Sequence, residues 1–212
     1  SERGRKEILW RPMSNVRIAK SFEAAHAQDL HTSAFLMFGL PTETRDEIFE
    51  TIDLCAQVQM GRFRWAIFFP FPGTAGYTIA RDKGLIDDAK MKGMGNYFDG
   101  SCLRFSPEQD LFIEKLGRFF HWYVTARTSW ASAKIYEKLV VRLEAMDRKA
   151  WEAGRDDLIA EDRELSDELI AKDILHYSVR YSHVMGVRSD YVKWEKRALA
   201  AAGVPKDYTL DQ

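Results

Sequence analysis

Two turns rich in glycine and proline carry the residue types that could bind a ligand in this chain. Gly39-Leu40-Pro41-Thr42-Glu43 follows one short apolar run, and Pro70-Phe71-Pro72-Gly73-Thr74 follows another. Glycine lets a ligand or a backbone approach closely, and backbone amides ahead of a helix suit an anion or an adenine–ribose group. Glu43 is either a helix cap or a carboxylate that contacts the ligand. The second turn is either a rigid strand-to-helix turn or part of the same ligand site.

The cysteines and histidines exclude several other kinds of chemistry. The chain of 212 residues has two cysteines, Cys55 and Cys102, and neither belongs to a Cys-x-x-Cys pair. A disulfide framework is therefore excluded, as is a cysteine-ligated zinc or iron–sulfur site made by this chain alone. His176 and His183 are too far apart in sequence for a tightly spaced ligand pair and have no clear third ligand. We therefore predict no metal site in this chain.

Composition limits the partners and the location. Apolar residues make up 46% of the chain, charged residues 30%, and the formal net charge is −1. This balance predicts no nucleic-acid partner. No apolar run approaches the ~18 residues of a membrane span, and the first residues show no signal-peptide core. We expect a cytoplasmic protein with a small-molecule substrate and no membrane partner.

Two apolar runs, residues 32–38 and 63–69, lead into the two turns. Neither run alternates apolar with polar residues, and each is too short for a helix. Both therefore predict parallel strands that are buried on both faces.

Helix signals flank the two runs. Ser14 is a predicted N-cap, Thr44 and Glu47 form a predicted capping box, and Thr74 starts a helix that Gly84 ends. The resulting order of helix, strand, helix, strand, helix is typical of right-handed crossover units on a parallel sheet. Ligands bind at the carboxyl ends of such strands, where both turns lie. Because two strands do not make a stable sheet alone, we expect further strands from preceding residues or from another chain.

The sequence after residue 105 changes character. Residues 86–105 are predicted to be irregular, as either a covering loop or a linker. Ser106 then caps a helix, and further helices are predicted over residues 135–146, 158–185 and 189–202, with breaks at Gly154 and Gly186. No strand is predicted after residue 105. We therefore divide the chain into an α/β domain, residues 1–105, and an all-helical region, residues 106–212.

One helical stretch in this second region has side chains that could reach a substrate. His121, Trp122 and Tyr123 lie together on the helix that Ser106 caps. They either face a pocket or pack in the core of an ordinary amphipathic helix.

Residues 1 to about 86 resemble the later half of the catalytic barrel of radical S-adenosylmethionine enzymes. The likeness is greatest to the group whose members carry an N-terminal cobalamin-binding domain. The segment Ala34-Phe35-Leu36-Met37-Phe38-Gly39-Leu40-Pro41-Thr42-Glu43-Thr44 resembles the fifth strand and its turn, where the family favours Gly-Leu-Pro-Gly-Glu-Thr. Thr42 replaces the second glycine of that turn. The segment Phe69-Pro70-Phe71-Pro72-Gly73-Thr74 resembles the end of the sixth strand, where the family favours Pro-Tyr-Pro-Gly-Thr.

The resemblance implies cofactor-binding roles by position. Met37 would pack against the adenine, Phe71 would close over it, and the turn after Gly39 would hold the ribose side. Ser1, Glu2 and Arg11 would face the ribose, amino and carboxylate groups, since a guanidinium can bond a carboxylate bidentately. The implied cofactor-binding residues are Ser1, Glu2, Arg11, Met37, Gly39, Leu40, Pro41, Glu43, Phe71, Pro72 and Gly73.

The resemblance also implies groups that this chain cannot hold. The family binds a [4Fe–4S] cluster with a Cys-x-x-x-Cys-x-x-Cys loop that is absent here. The expected cofactors are S-adenosylmethionine, a [4Fe–4S] cluster with ligands outside this chain and, in that group, cobalamin on a domain outside this chain. We therefore expect later strands of a partial (β/α) barrel followed by a helical extension, with the N-terminal half of the same polypeptide as its partner.

The implied function is part of a radical S-adenosylmethionine enzyme. Such an enzyme reductively cleaves S-adenosylmethionine and then methylates or oxidatively rearranges an unreactive carbon. This chain alone is expected to be inactive, and its sequence identifies no catalytic residue. One alternative is a non-catalytic α-helical interaction module with a vestigial α/β half. Another α/β-barrel enzyme using Glu43 as a base is disfavoured, because neither turn contains a lysine or a histidine.

Overall fold

A four-stranded mixed sheet organises the fold, in a computed structural model that describes residues 1–94, 98 and 100–192. The strands lie in the order β1-β2-β4-β3. β1 and β2 are parallel, whereas β4 runs antiparallel to both β2 and β3. The protein is therefore mixed α/β, and the predicted parallel pair is confirmed. The strand bounds are Ser33–Phe38 for β1, Arg62–Ile67 for β2, Tyr177–Val179 for β3 and Met185–Arg188 for β4.

Helices connect and cover these strands. A π-helical turn, Gly4–Ile8, precedes the first α-helix, and residues 189–192 are helical again. The predicted helix over residues 189–202 thus begins where expected, and its remainder lies outside the described residues. The α-helix bounds are Asn15–His26 for α1, Arg45–Val58 for α2, Ala75–Asp82 for α3, Asp88–Gly93 for α4, Pro107–Ala126 for α5, Ala133–Ala145 for α6 and Arg148–Ala171 for α7.

The helix starts predicted at Ser14, Thr44, Thr74 and Ser106 are confirmed by their caps, whereas the helix predicted to begin at residue 158 begins at Arg148. The side chains of Ser14, Thr74 and Ser106 each accept a hydrogen bond from the backbone N–H three residues later. Thr44 and Glu47 form the complete reciprocal capping box of α2. Each cap satisfies donors that a helix start leaves without a partner.

The prediction of an all-helical region after residue 105 is wrong. Helix α7 ends at Ala171, and the chain then forms β3 and β4. A Schellman motif ends the helix, because Ile174 N–H donates to Leu169 C=O at 2.9 Å and Asp173 adopts φ 59°. Glycine usually occupies this left-handed position. Because aspartate stands where glycine is usual, the sequence contains no glycine signal for the end of α7.

The two predicted glycine breaks are also wrong. Gly154 lies inside α7, and Gly186 lies in β4 opposite Phe63 of β2. A Cβ on Gly186 would stand 2.7 Å from Phe63 Cζ. Glycine is therefore required there by the close approach of an aromatic ring, and it lets β4 pair with β2 across the predicted domain boundary.

The prediction that both parallel strands are buried on both faces is wrong. Burial alternates along β2, where Arg62 is exposed and Arg64 is half-buried on the face away from the core. The core face of β1 and β2 packs against α2 and α5, with Phe38 stacked on Phe120 at a centroid distance of 5.5 Å. On the opposite face, Phe35 is 84% exposed and Met37 is 40% exposed. β1 lies at the edge of the sheet, and no strand among the described residues pairs with its free side.

Residues 86–105 are more regular than predicted in their described part. Asp87 caps α4, and Ile86 forms an antiparallel bridge with Leu103. Within the described part of the chain, no helix has both the length and the apolar character needed to cross a bilayer.

Candidate functional site

A groove of about 870 Å³ lies between the N-terminal segment, α1, β1, α2 and the turn after β2. Small-molecule sites in proteins have volumes of this order, about 300–1,000 Å³. Six of the predicted site residues, which come from three separate parts of the sequence, line this groove. They are Ser1, Arg11, Met37, Leu40, Glu43 and Phe71.

Apolar side chains supply most of the groove wall. Leu40 is buried together with Ile8 and Phe68, in a small cluster between the N-terminal turn and α3. Met37 and Phe71 remain 40% and 52% exposed on the groove. This wall can accept a flat apolar group and still leave one side of that group open to the solvent.

Glu43 is the buried acid of the groove. Its side chain is 5% exposed, and its Oε2 accepts a hydrogen bond from Leu40 N–H at 3.0 Å. Burial raises the pKa of Glu43 to about 7. Glu43 is therefore not the cap of α2, which is Thr44; its carboxyl group bonds back to its own turn and lines the groove. Near neutral pH this group can accept or donate a proton.

Arginines give the groove a positive rim. Arg11 and Arg17 line it with exposed side chains, and neither pairs with an acid among the described residues. Arg5 also lines it, but its guanidinium donates to Met13 C=O at 3.1 Å and to Asn15. An anionic group of a bound ligand would meet two unpaired guanidinium groups here.

Five predicted site residues lie outside the groove lining. Gly39 adopts φ +73°, and a Cβ there would meet Ile67 and Ile113 at 3.4 and 3.5 Å, so it faces the core. Glu2 accepts a hydrogen bond from Asn15 N–H at 2.6 Å, at the start of α1. The remaining three are Pro41, which is buried, and Pro72 and Gly73, which are exposed.

Sequence reasoning missed the contribution of α1 to the groove. Arg17 and Ser21 line it, as do Ile18 and Phe22. Because residues four apart share a helix face, the pairs 17/21 and 18/22 form one stripe. This spacing could have indicated the lining face, but the sequence does not show that α1 buries none of its residues.

The described residues do not fit a [4Fe–4S] cluster. They contain no group of three or more His, Cys, Asp or Glu side chains that could hold a metal. Cys55 lines the groove, but burial raises the pKa of its thiol to about 12. Cys102 is buried elsewhere, so these two thiols cannot form a cluster loop.

The aromatic stretch of α5 lies in the core and not in the groove. His121, Trp122 and Tyr123 are all buried. His121 Nε2 lies 3.0 Å from both carboxylate oxygens of Asp162, and Trp122 Nε1–H donates to Asp162 Oδ1 at 2.5 Å. These hydrogen bonds connect α5 to α7. His176 likewise makes a buried contact with Ser166, at 3.0 Å.

No protein family, curated protein or solved structure matches this chain. The function therefore has to be inferred from the groove and from the motifs that line it.

Proposed function

We propose that the groove binds the adenosine side of S-adenosylmethionine, and that the chain is the later half of the barrel of a cytoplasmic radical S-adenosylmethionine enzyme. The observation that carries this proposal is the convergence of the six predicted residues on one groove. Sequence motifs alone do not require residues 1, 11, 37, 40, 43 and 71 to share a cavity.

The chemistry of the groove suits this ligand. Met37, Leu40 and Phe71 offer an apolar surface for the adenine ring, and Arg11 offers a guanidinium for the carboxylate. Glu43 offers the one buried carboxyl of the set, which can accept a hydrogen bond when ionised or donate one when protonated.

The rest of the enzyme would come from the N-terminal half of the same polypeptide. The free side of β1 supports this part of the proposal, because a further parallel strand could pair there and continue a (β/α) barrel. The [4Fe–4S] cluster would be held by cysteines outside this chain and cobalamin by a further domain. The proposed overall reaction is reductive cleavage of S-adenosylmethionine followed by methylation or oxidative rearrangement of an unreactive carbon.

Equilibrium dialysis with labelled S-adenosylmethionine tests the binding site. We expect saturable binding at one site, and we expect Met37→Ala to raise the Kd about tenfold by removing apolar contact. Val141→Ala is the matched control, since Val141 is an exposed apolar residue on α6 and does not line the groove. Absence of saturable binding, or equal effects of the two substitutions, would contradict the proposed site.

The reaction is tested with a polypeptide that also contains the proposed N-terminal half. After anaerobic reconstitution with iron and sulfide and addition of a reductant, we expect 5′-deoxyadenosine to form from S-adenosylmethionine. Formation of no 5′-deoxyadenosine, in a protein that shows cluster absorbance, would contradict the assigned reaction class.

A second candidate function is a non-catalytic interaction module. Phe35 is 84% exposed on an edge strand, and such strands pair readily with other chains. In this case β1 would complete a sheet with a partner strand. The dialysis experiment distinguishes the two candidate functions, because a non-catalytic interaction module is not expected to bind S-adenosylmethionine.

A further inference from the structure

The face of the sheet opposite the core carries a second set of binding groups. In the parallel pair, Phe35 lies beside Arg64 and Ser33 lies beside Arg62. Arg62 Nε–H donates to Ser33 Oγ at 3.1 Å, as expected for side chains on the same face. Since neighbouring parallel strands are about 4.8 Å apart, Phe35 and the two arginines form one continuous surface, called here the arginine face.

The charges on the arginine face are not neutralised by the described residues. Arg62 makes its side-chain hydrogen bond to a hydroxyl group, and neither Arg62 nor Arg64 forms an ion pair with a described acid. Nearby Arg188 is different, because it pairs with Asp190 at 2.8 Å. Two guanidinium groups without a counter-charge favour an anionic ligand.

Aromatic rings stand beside these charges. The Arg64 guanidinium lies over the ring of Phe98, 5.6 Å from its centroid, and Phe98 contacts His183 edge-on. Phe35 presents an 84% exposed ring on the other side of Arg64. Most of the surface of Phe35 is uncovered by the described residues, so its ring can stack on a flat apolar group.

We propose that the arginine face binds the anionic end of a small substrate, a carboxylate or a phosphate, while Phe35 stacks on its flat apolar body. This inference rests on the proposed function, because Phe35 also lines the groove and so places this substrate next to the cofactor. It adds the chemical class of the substrate: a planar or aromatic compound with a negative charge at one end.

A pair of fluorescent probes tests this substrate class. The probes are 1-anilinonaphthalene-8-sulfonate, which is flat and anionic, and N-phenyl-1-naphthylamine, which has the same body without the sulfonate. In the whole chain, we expect the double substitution Arg62→Gln/Arg64→Gln to raise the Kd of the anionic probe at least about tenfold. The Kd of the neutral probe should stay within about twofold. Phe35→Ala should weaken both probes.

Two control variants separate local charge from other effects. Arg62→Lys/Arg64→Lys keeps both charges and should retain most of the binding of the anionic probe. Lys134→Gln/Lys138→Gln on α6 changes the net charge equally, away from the arginine face, and should leave both probes unaffected. Circular dichroism melting verifies that each variant is folded.

The outcomes distinguish this inference from the proposed function. If Arg62→Gln/Arg64→Gln weakens the binding of both probes equally, or of neither, the inference is overturned. So would loss of the anionic probe on Arg11→Gln/Arg17→Gln alone, because that result would place the anion site on the groove rim. Binding of S-adenosylmethionine, measured by dialysis on the same variants, reports on the proposed function separately and should not change with Arg62→Gln/Arg64→Gln.

Discussion

Burial decides how Glu43 behaves. Sequence reasoning left Glu43 as either a helix cap or a ligand contact. The structure makes Thr44 the N-cap of α2, whereas the Glu43 carboxylate accepts a hydrogen bond from Leu40 N–H and lines the groove. The pKa of about 7 could not be predicted from the sequence, because it depends on the enclosure of the carboxyl group in the fold. The turn motif therefore identified Glu43 as a candidate residue, but its raised pKa is seen only in the folded structure.

The raised pKa of Glu43 predicts a pH-dependent stability. The folded-state pKa of about 7 lies above the ordinary value of 4.5, so the unfolded chain releases this proton at lower pH. The contribution of Glu43 to stability therefore falls as the pH rises from about 4.5 to 7, by roughly 3 kcal/mol. Glu43→Gln does not titrate and keeps an acceptor for Leu40 N–H. We expect it to be more stable than the wild type at about pH 8 and similar at about pH 5.

Urea unfolding at the two pH values measures this difference. Glu50→Gln is the matched control, since Glu50 lies on the exposed side of α2. A gain in stability for Glu43→Gln that is the same at both pH values would contradict the shifted pKa.

Asp162 predicts the opposite pH dependence. Burial opposes its ionisation, but the charge of His121 and the hydrogen bonds from His121 and Trp122 outweigh burial and lower the pKa of Asp162. Its stabilising contribution is therefore present above its ordinary pKa of 3.8 and is lost as the pH falls through the lower folded value. We expect Asp162→Asn to cost about 2–5 kcal/mol at neutral pH, because it removes the charge that satisfies two buried donors.

Thermal unfolding of Asp162→Asn and Asp156→Asn tests this contribution. Asp156 is an exposed acid on the same helix and provides the control. The two variants should differ strongly at neutral pH and converge in acid. Equal stability of the two variants at neutral pH would show that the buried contact contributes little.

At the scale of elements, local signals predicted the capped helix starts and the parallel pair of strands. The start of α7 and the strands β3 and β4 were not predicted. Caps such as those of α2 and α5 involve residues three apart, which a sequence pattern contains. Strands β3 and β4 have three and four residues, so periodicity cannot separate them from a helix. The pairing of β4 with β2 joins residues more than a hundred positions apart, which no local pattern encodes.

The strand β4 depends on the absence of a side chain at Gly186. Gly186→Ala would bring a methyl group against the Phe63 ring, where a Cβ has no room. We expect a loss of about 1–3 kcal/mol in the free energy of unfolding, measured in urea. Gly100→Ala is the control, because nothing lies within 4 Å of a Cβ there. Equal stability of the two variants would mean that β4 can shift away from β2 at little cost.

At the scale of the whole molecule, the described residues leave one edge and one face of the sheet open on the same strand, β1. The free side of β1, the groove and the arginine face all meet at residues 33–37. The sequence predicted that ligand chemistry would gather at the carboxyl end of this strand. It did not predict the open face, because the apolar run of β1 resembles that of a strand buried on both sides.

The most direct test of the central claim is hydrogen exchange, followed by mass spectrometry, of this chain with and without S-adenosylmethionine. If the groove is the binding site, the ligand should slow exchange in residues 1–13, 33–43 and 68–76, which line it together with parts of α1 and α2. Exchange in α6 and α7, which do not line the groove, should stay unchanged. Slowed exchange confined to α6 and α7, or no change anywhere at saturating ligand, would contradict the assignment of the groove to S-adenosylmethionine.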